Sequence, residues 1–286
     1  MSRILLQFLI LAGGICIAPL LGGLVAGVDR VLTARLQGRV GPPFLQPFYD
    51  VGKLFGKTQM ATNIWQALCP VVGLVAAMIA VGLFVLQGDL LVIFFAQAVT
   101  AACIVVGALS VSSPYGQIGA QRELLQMLAY EPLYLLVVVG VFLKTGSFNI
   151  ESVYAFPRPL LLDMPLLFVA FGFVLTIKFR KSPFDIASSH HAHQEIVRGV
   201  YTDYSGPHLA ILEIAHWYEN ALLLGLCGLF WATSFWGACL LAIGVYVLEI
   251  WVDNVSARLT WRWMLGSAWG VGLTLAVLNL IWLQAR

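Results

Sequence analysis

Several acidic side chains of this sequence lie within, or at the ends of, long apolar stretches, where a charge costs several kcal/mol unless it is paired or hydrated. Glu131 stands a few residues into one such stretch, with Arg122 and Glu123 just ahead of it. Glu213, His216 and Asn220 recur at spacings that share one helix face, with Glu219 close by, and Glu249 and Asp253 are four residues apart near the end of another stretch. Two chemistries fit these positions. One is a chain of protonatable groups beside internal water, since burial favours the neutral carboxyl and lets it exchange protons nearer neutral pH. The other is interhelical glue, with Arg122 or Arg258 neutralising a neighbour. For Glu131 together with the Glu213 and Glu219 group, proton handling is the favoured reading.

A second constellation is polar throughout. Arg180-Lys181-Ser182-Pro183-Phe184-Asp185 leads to His190-His191-Ala192-His193-Gln194-Glu195. Three histidines and a glutamate invite a metal reading, and His190 and His193 suit one helix face. The pattern matches no HExxH or carboxylate-rich site. A surface that touches a partner or passes protons is favoured, because imidazole titrates near pH 7. Other chemistries lack their residues: there is no Walker loop, no GxGxxG and no plausible Ser/His/Asp grouping. All five histidines fall between 190 and 216, which gives no bis-His haem pair across two helices. Cys16, Cys69, Cys103, Cys227 and Cys239 lie in or beside apolar runs with no CxxC, as buried small hydrophobes do. No redox cofactor and no metal are expected in this chain.

The elements that hold these groups follow from composition. Of the 286 residues, 60% are hydrophobic and only 10% charged. Soluble domains carry roughly 25% charged residues, so a soluble enzyme, a nucleic-acid-binding protein and a disordered chain are all excluded. Apolar runs long enough to cross a bilayer at about 20 residues each predict an all-α, polytopic membrane protein. It is read as one domain over 1–286, with about eight spans at 4–28, 68–87, 90–111, 125–144, 160–178, 209–231, 236–253 and 267–284. Continuous rather than alternating apolarity argues against a β-barrel. Met1-Ser2-Arg3 leads at once into the first run, which is longer than a signal h-region and reads as a retained helix.

Twelve of the sixteen Lys and Arg residues fall on one set of loops and four on the other, which predicts a cytoplasmic side for the first set and both termini outside. The cytoplasmic loops then run over about 29–66, 112–124 and 179–208. In the first, apolar residues at 44, 48, 51, 54 and 55 recur at helical spacing, with Asp50 and Lys53 off the stripe. This is an amphipathic helix that lies on the membrane surface or docks on a partner.

Specific strings carry a resemblance. Asp29-Arg30, Gln37-x-Arg39-x-Gly41-Pro42 and Leu45-Gln46-Pro47-x-x-Asp50-x-x-Lys53-Leu54 resemble the first loop of the complex I membrane subunits that border the quinone chamber. Gly119-Ala120-x-Arg122 followed by Glu131 looks like that family's next loop, and Pro183-Phe184-Asp185, Glu195-Ile196-Val197-x-Gly199 and Asp203-Tyr204-Ser205-Gly206 look like its third. The match is collinear over most of the chain. Gly41-Pro42-Pro43-Phe44-Leu45-Gln46, Arg122-Glu123, Tyr130-Glu131-Pro132, Asp253-Asn254-x-x-Ala257-Arg258-Leu259 and the His-rich third loop are similar to the membrane-bound [NiFe] hydrogenase branch, with its energy-converting (Ech-type) and formate hydrogenlyase members. The sequence also departs from the family: Lys178 stands where a glutamate is usual, and His193 and His191 replace acidic loop residues. Either Glu213 or Glu219 fills the place of the sixth-helix glutamate.

The resemblance implies a membrane anchor and coupling subunit of a prokaryotic inner-membrane complex. Its loops would dock hydrogenase large and small subunits through Arg35, Arg39, Asp50, Lys53, Arg122, Lys178, Arg180, Lys181, Asp185, His190, His191, His193, Glu195 and Asp203. It would also contact antiporter-like membrane subunits. The [NiFe] centre and iron–sulfur clusters would sit in partners that pass electrons from reduced ferredoxin to protons, or the reverse, coupled to H⁺ or Na⁺ movement. Glu123, Glu131, Glu213, His216, Glu219, Glu249 and Asp253 would transfer protons. A quinone-chamber subunit of a complex I-like enzyme is the alternative, and a stand-alone ion carrier a more distant one.

Overall fold

The computed structural model describes residues 2–185, 187 and 199–285. His190, His191, His193 and Glu195 lie outside the described residues. The described chain is helical with no strand, an all-α arrangement as composition demands. Helix α1, Ser2–Leu36, is followed by α2, Gln46–Phe55, and by the antiparallel pair α3, Ile64–Val85, and α4, Leu90–Leu109. Next come α5, Pro114–Thr145, and the short α6, Ile150–Tyr154, and α7, Leu160–Asp163. Helix α8 is Pro165–Lys178, α9 is Gly206–Leu229 and α10 is Phe235–Val255. The last stretch is α11, Trp261–Ser267, a π-helical stretch Ala268–Leu273, and α12, Thr274–Gln284.

Among the described residues, six helical segments are long and apolar enough to cross a membrane. The other two expected spans fall short of that measure for different reasons. Helix α8 is apolar but has only 14 residues, and α9 has 24 residues but carries Glu213, His216 and Glu219.

Three boundaries differ from the expectation, each for a local reason. Helix α1 does not stop at residue 28. Its 35 residues rise about 52 Å, well beyond a hydrocarbon core of about 30 Å, and it ends where Gly38 turns with φ +68. The segment 112–124, expected as a loop, is mostly the first three turns of α5. Ser113 caps it by accepting from Gly116 N, Pro114 opens it, and left-handed Gly146 closes it. Polar composition was the signal for a loop there, but a helix can carry polar turns beyond the bilayer. The expected span 160–178 is broken at Met164, because Pro165 has no N–H to continue the ladder. The amides of Leu166 and Leu167 at the restart both donate to Asn279 Oδ1 of α12, at 2.9 and 3.0 Å.

The core sits where α3, α4, α5, α8 and α9 meet, around Ile93, Leu133, Leu167, Phe171 and Leu223. Helix α9 also packs along α1. At Gly22 a Cβ would collide with the backbone oxygen of Trp217, so only glycine permits that approach. Helix α2 docks on α9 of the same chain: Val51 packs with Ala210 and Trp217, and the Phe48 and Trp217 rings lie 5.0 Å apart. Residues 48, 51 and 54 of the predicted stripe face inward, while Phe44 and Phe55 are exposed.

Candidate functional site: a charged cavity and the ion pairs beneath it

Between the end of α1, α2, α9, α10 and the turn after α8 lies a cavity of about 490 Å³. Helix α9 contributes Glu213, His216 and Asn220, the three residues predicted to share a face. Helix α1 contributes Asp29 and Arg30, α2 contributes Asp50 and Lys53, and α10 contributes Asp253. The turn after α8 supplies Arg180, Lys181 and Asp185.

That turn is what brings cations into the bundle. Lys181 N donates to Thr176 O at 3.0 Å, which folds the chain back over the end of α8. Arg180 adopts φ +55, a left-handed conformation unusual for a residue with a side chain. The surroundings hold it there: its guanidinium lies 3.6 Å from Glu123 Oε1 and 4.7 Å from the centre of the Tyr201 ring. Lys181 Nζ donates to Asp29 Oδ1 and lies 3.5 Å from Asp253 Oδ2, tying α1 to α10. Asp253 also accepts from Ser182 N at 2.8 Å. Arg258 grips Asp185 Oδ2 through Nε at 3.1 Å and Nη2 at 2.8 Å. Burial pushes the Asp185 carboxyl above its ordinary range although Arg258 pulls the other way. At the rim, Arg30 pairs with Asp50 at 2.6 Å and Gln46 donates to the same carboxylate at 2.9 Å. Partial burial opposes these contacts, but Arg30 and Gln46 prevail and hold Asp50 below the usual carboxylate range.

Deeper in, Lys178 Nζ donates to Glu219 Oε1 and sits 4.8 Å over the Tyr130 ring. Both partners of this pair are buried, with 4% and 9% of their side chains exposed. His216 Nδ1 is 3.8 Å from the other Glu219 oxygen. Helix α10 has its own buried acid: Glu249 Oε1 accepts from Thr176 Oγ1 at 3.1 Å, one turn below Asp253. Glu131 is not in the cavity lining, and its Oε1 is buried without a hydrogen-bond partner.

The predicted residues thus divide. Glu123, Glu213, His216, Glu219 and Asp253 come together at or just below the cavity, joined by Arg180 and Lys181. Arg35, Arg39, Lys53 and Arg122 are exposed, as a surface for partners requires, and Asp203 is half-buried before α9. Lys178, Arg180, Lys181 and Asp185, expected to dock a partner, point into this chain. All four are buried and ion-paired inside the chain, because the turn after α8 folds into the bundle rather than out of it. Glu219, 41 positions on, answers the charge of Lys178. Asp29, Tyr130 and Tyr201 were missed as site residues. Asp29 was open to detection as an acid in a helix longer than its apolar run; the tyrosines carried no signal apart from their contacts.

A family model described as NADH dehydrogenase matches residues 8–284. The chain belongs to that family. Its relatives serve several kinds of complex. Hydrogenase-4 component C of Escherichia coli K12 is 30% identical over 207 residues, covering 66% of this chain and 64% of that protein. Formate hydrogenlyase subunit 4 of the same organism is 32% identical over 73% of this chain and 70% of its own length. An NADH-quinone oxidoreductase subunit of Thermomicrobium roseum is 28% identical over 98% of this chain and 95% of its own length. Among solved structures, a chain of the membrane-bound sulfane sulfur reductase, an archaeal respiratory membrane complex, superposes with a TM-score of 0.86 at 25% identity, over 97% of this chain and 99% of that one. This NADH dehydrogenase-family chain is therefore a membrane-embedded, complex I-like oxidoreductase subunit, and it works within a multisubunit complex.

Proposed function

We propose that this chain is the membrane anchor and coupling subunit of a hydrogenase-type energy-converting complex in a prokaryotic inner membrane, with both termini outside. Its α1–α2 surface docks the hydrogenase large and small subunits, and its membrane face meets antiporter-like subunits. The [NiFe] centre and iron–sulfur clusters belong to those partners, as does electron exchange with ferredoxin. The hydrogenase-4 and formate hydrogenlyase relatives support this branch.

The observation that carries the reading is continuity of charge. Exposed Arg39 and Lys53 border a cavity whose floor is the Lys181 cluster with Asp29 and Asp253, and beneath it lie Arg180–Glu123 and Lys178–Glu219. Unit charges about 4 Å apart at a protein-like effective dielectric of about 20 interact by about 4 kcal/mol, so moving one loop charge changes the proton affinity of the next group. Glu131, Glu249 and their neighbours then take up or release protons as the attached arm turns over. Lys181 is the hinge of this scheme, since it joins α1, α10 and the turn after α8.

The complex purified in mild detergent and reconstituted in vesicles tests it. Lys181→Gln should leave electron transfer measurable while ion movement per electron falls by at least half. Full ion movement in an assembled Lys181→Gln complex would refute the coupling role. The near full-length match to the NADH-quinone oxidoreductase relative supports a second reading, a quinone chamber. The cavity wall mixes apolar Val51, Leu54, Phe179 and Trp217 with charged Arg30, Asp50, Arg180 and Lys181, which is more charge than the largely apolar lining of most small-molecule sites. Stoichiometric quinone in the purified complex would favour the second reading.

A further inference from the structure

Pro132 leaves a gap in the hydrogen bonding of α5. In an α-helix the amide of residue 132 would donate to the carbonyl of Leu128, four positions earlier, but proline has no N–H to give. Leu128 lies on the outer face of the bundle, 49% exposed. In a membrane that face meets lipid or a neighbouring apolar helix, neither of which supplies water to an unmet carbonyl. The missing donor comes from the other end of the chain: Trp269 Nε1 donates to Leu128 O at 3.2 Å.

Trp269 stands in the π-helical stretch Ala268–Leu273. A π turn is rare and widened, with bonds that reach five residues instead of four. Thr274 closes this one: its Oγ1 donates to Gly270 O at 2.7 Å and to Val271 O at 2.9 Å. The same stretch also meets α5 on the far side of the proline. A Cβ on Gly272 would lie 3.0 Å from Leu133 Cδ1 and 3.5 Å from Phe173 Cδ2, so the backbone sits close against Leu133. Six residues thus grip α5 just before Pro132 and just after it. An indole near a membrane surface also anchors a helix among the headgroups. An anchor needs no partner inside the chain, however, and this N–H is spent on the carbonyl that Pro132 strands.

We propose that the π stretch is a clasp on the proline break of α5 and that Trp269 is a positioning residue. It sets the angle between two sections of α5. The cytoplasmic section, 114–131, carries Glu123 and Glu131. The section beyond Pro132 is fixed in the core through Leu133, Val137 and Val141. A proline break without a tie bends freely; with Trp269 in place the acid-bearing section keeps one bearing on the core. The inference rests on the coupling role proposed above and names a residue on which the placement of those acids depends.

The test uses the whole complex. Trp269→Phe keeps an aromatic ring and removes the N–H, and Pro132→Ala gives Leu128 O a donor within α5. Trp269→Phe alone should shorten the heat-inactivation half-life in detergent by about threefold to tenfold. In the Pro132→Ala background the same change should shorten it by less than about twofold, because the tie is no longer needed. In tight vesicles with a reduced viologen as electron donor, Trp269→Phe should lower ion movement per electron by about half or more. Equal shortening in both backgrounds overturns the clasp. An unchanged ratio of ions to electrons in an assembled Trp269→Phe complex overturns the positioning role. If Pro132→Ala does not assemble, hydrogen exchange of the α5 amides over 124–131 takes its place. Faster exchange confined to that section in Trp269→Phe supports the clasp, and the wild-type rate there overturns it. Failure of the underlying coupling role looks different: the wild-type complex in tight vesicles then moves no ion during turnover, while the half-life comparison still reads the clasp.

Discussion

Replacing Lys178 with methionine removes one member of a pair whose side chains are 4% and 9% exposed. Methionine retains much of the volume of the lysine stem, so packing against Tyr130 changes little and the perturbation is mainly electrostatic. Glu219 then loses its ammonium partner and is left as a buried carboxylate, with His216 at 3.8 Å. Breaking a buried pair from one side costs about 3–5 kcal/mol, whereas removing both charges together is often close to neutral. The single variant should therefore lose about 3 kcal/mol, a factor of more than about 100 in the folded-to-unfolded ratio, and Lys178→Met/Glu219→Gln should recover most of it. Heat inactivation of the complex in detergent and the yield of assembled complex on native gels report both. The coupling between the two changes should reach about 2 kcal/mol, within the range for contacting residues. Equal losses in the single and double variants would refute the argument, since the cost would then lie in packing and not in an orphaned charge.

Two further outcomes follow from the same structure. Gly22→Ala should cost at least about 1–3 kcal/mol by overpacking, because its Cβ would meet the Trp217 carbonyl, whereas Gly52→Ala on α2 meets nothing within 4 Å and should stabilise that helix by about 0.5–1 kcal/mol; assembled yield distinguishes them. Asp50 has a folded-state pKa below its ordinary value, so its contribution to docking α2 is complete above about pH 4 and is lost as pH falls through the lowered value. Trp217 fluorescence, which reports the Phe48 contact, should follow that loss, and Asp50→Asn should remove the pH dependence in that window. Because Arg30 and Asp50 are both about half exposed, added salt should weaken the effect.

The apolar runs were readable because a bilayer imposes length and composition on any helix that crosses it, and the face formed by Glu213, His216 and Asn220 was readable because helical period alone brings those positions together. What escaped was set by pairs far apart in the chain. Nothing local to Lys178 says that Glu219 will answer it, and nothing around Lys181 points to Asp29, 152 positions earlier. Charge density near Arg180 looked like an outer surface, since basic loops usually are, yet the backbone reversal at that residue sends the cluster inward. The polar start of α5 likewise reads as a loop, because hydropathy measures what a membrane accepts and not where a helix stops. The break at Met164 was open to detection from Pro165; its lock by Asn279 was not.

That lock has a consequence for biogenesis. The two amides at the start of α8 find their acceptor on α12, more than a hundred positions later in the chain. Until residue 279 has left the ribosome and entered the bilayer, those N–H groups have no such acceptor, and in hydrocarbon each unmet group costs several kcal/mol. Segment 165–178 must therefore await its final seating until the last helix arrives, so the register of the turn that carries Arg180 and Lys181 is fixed late, at the close of synthesis.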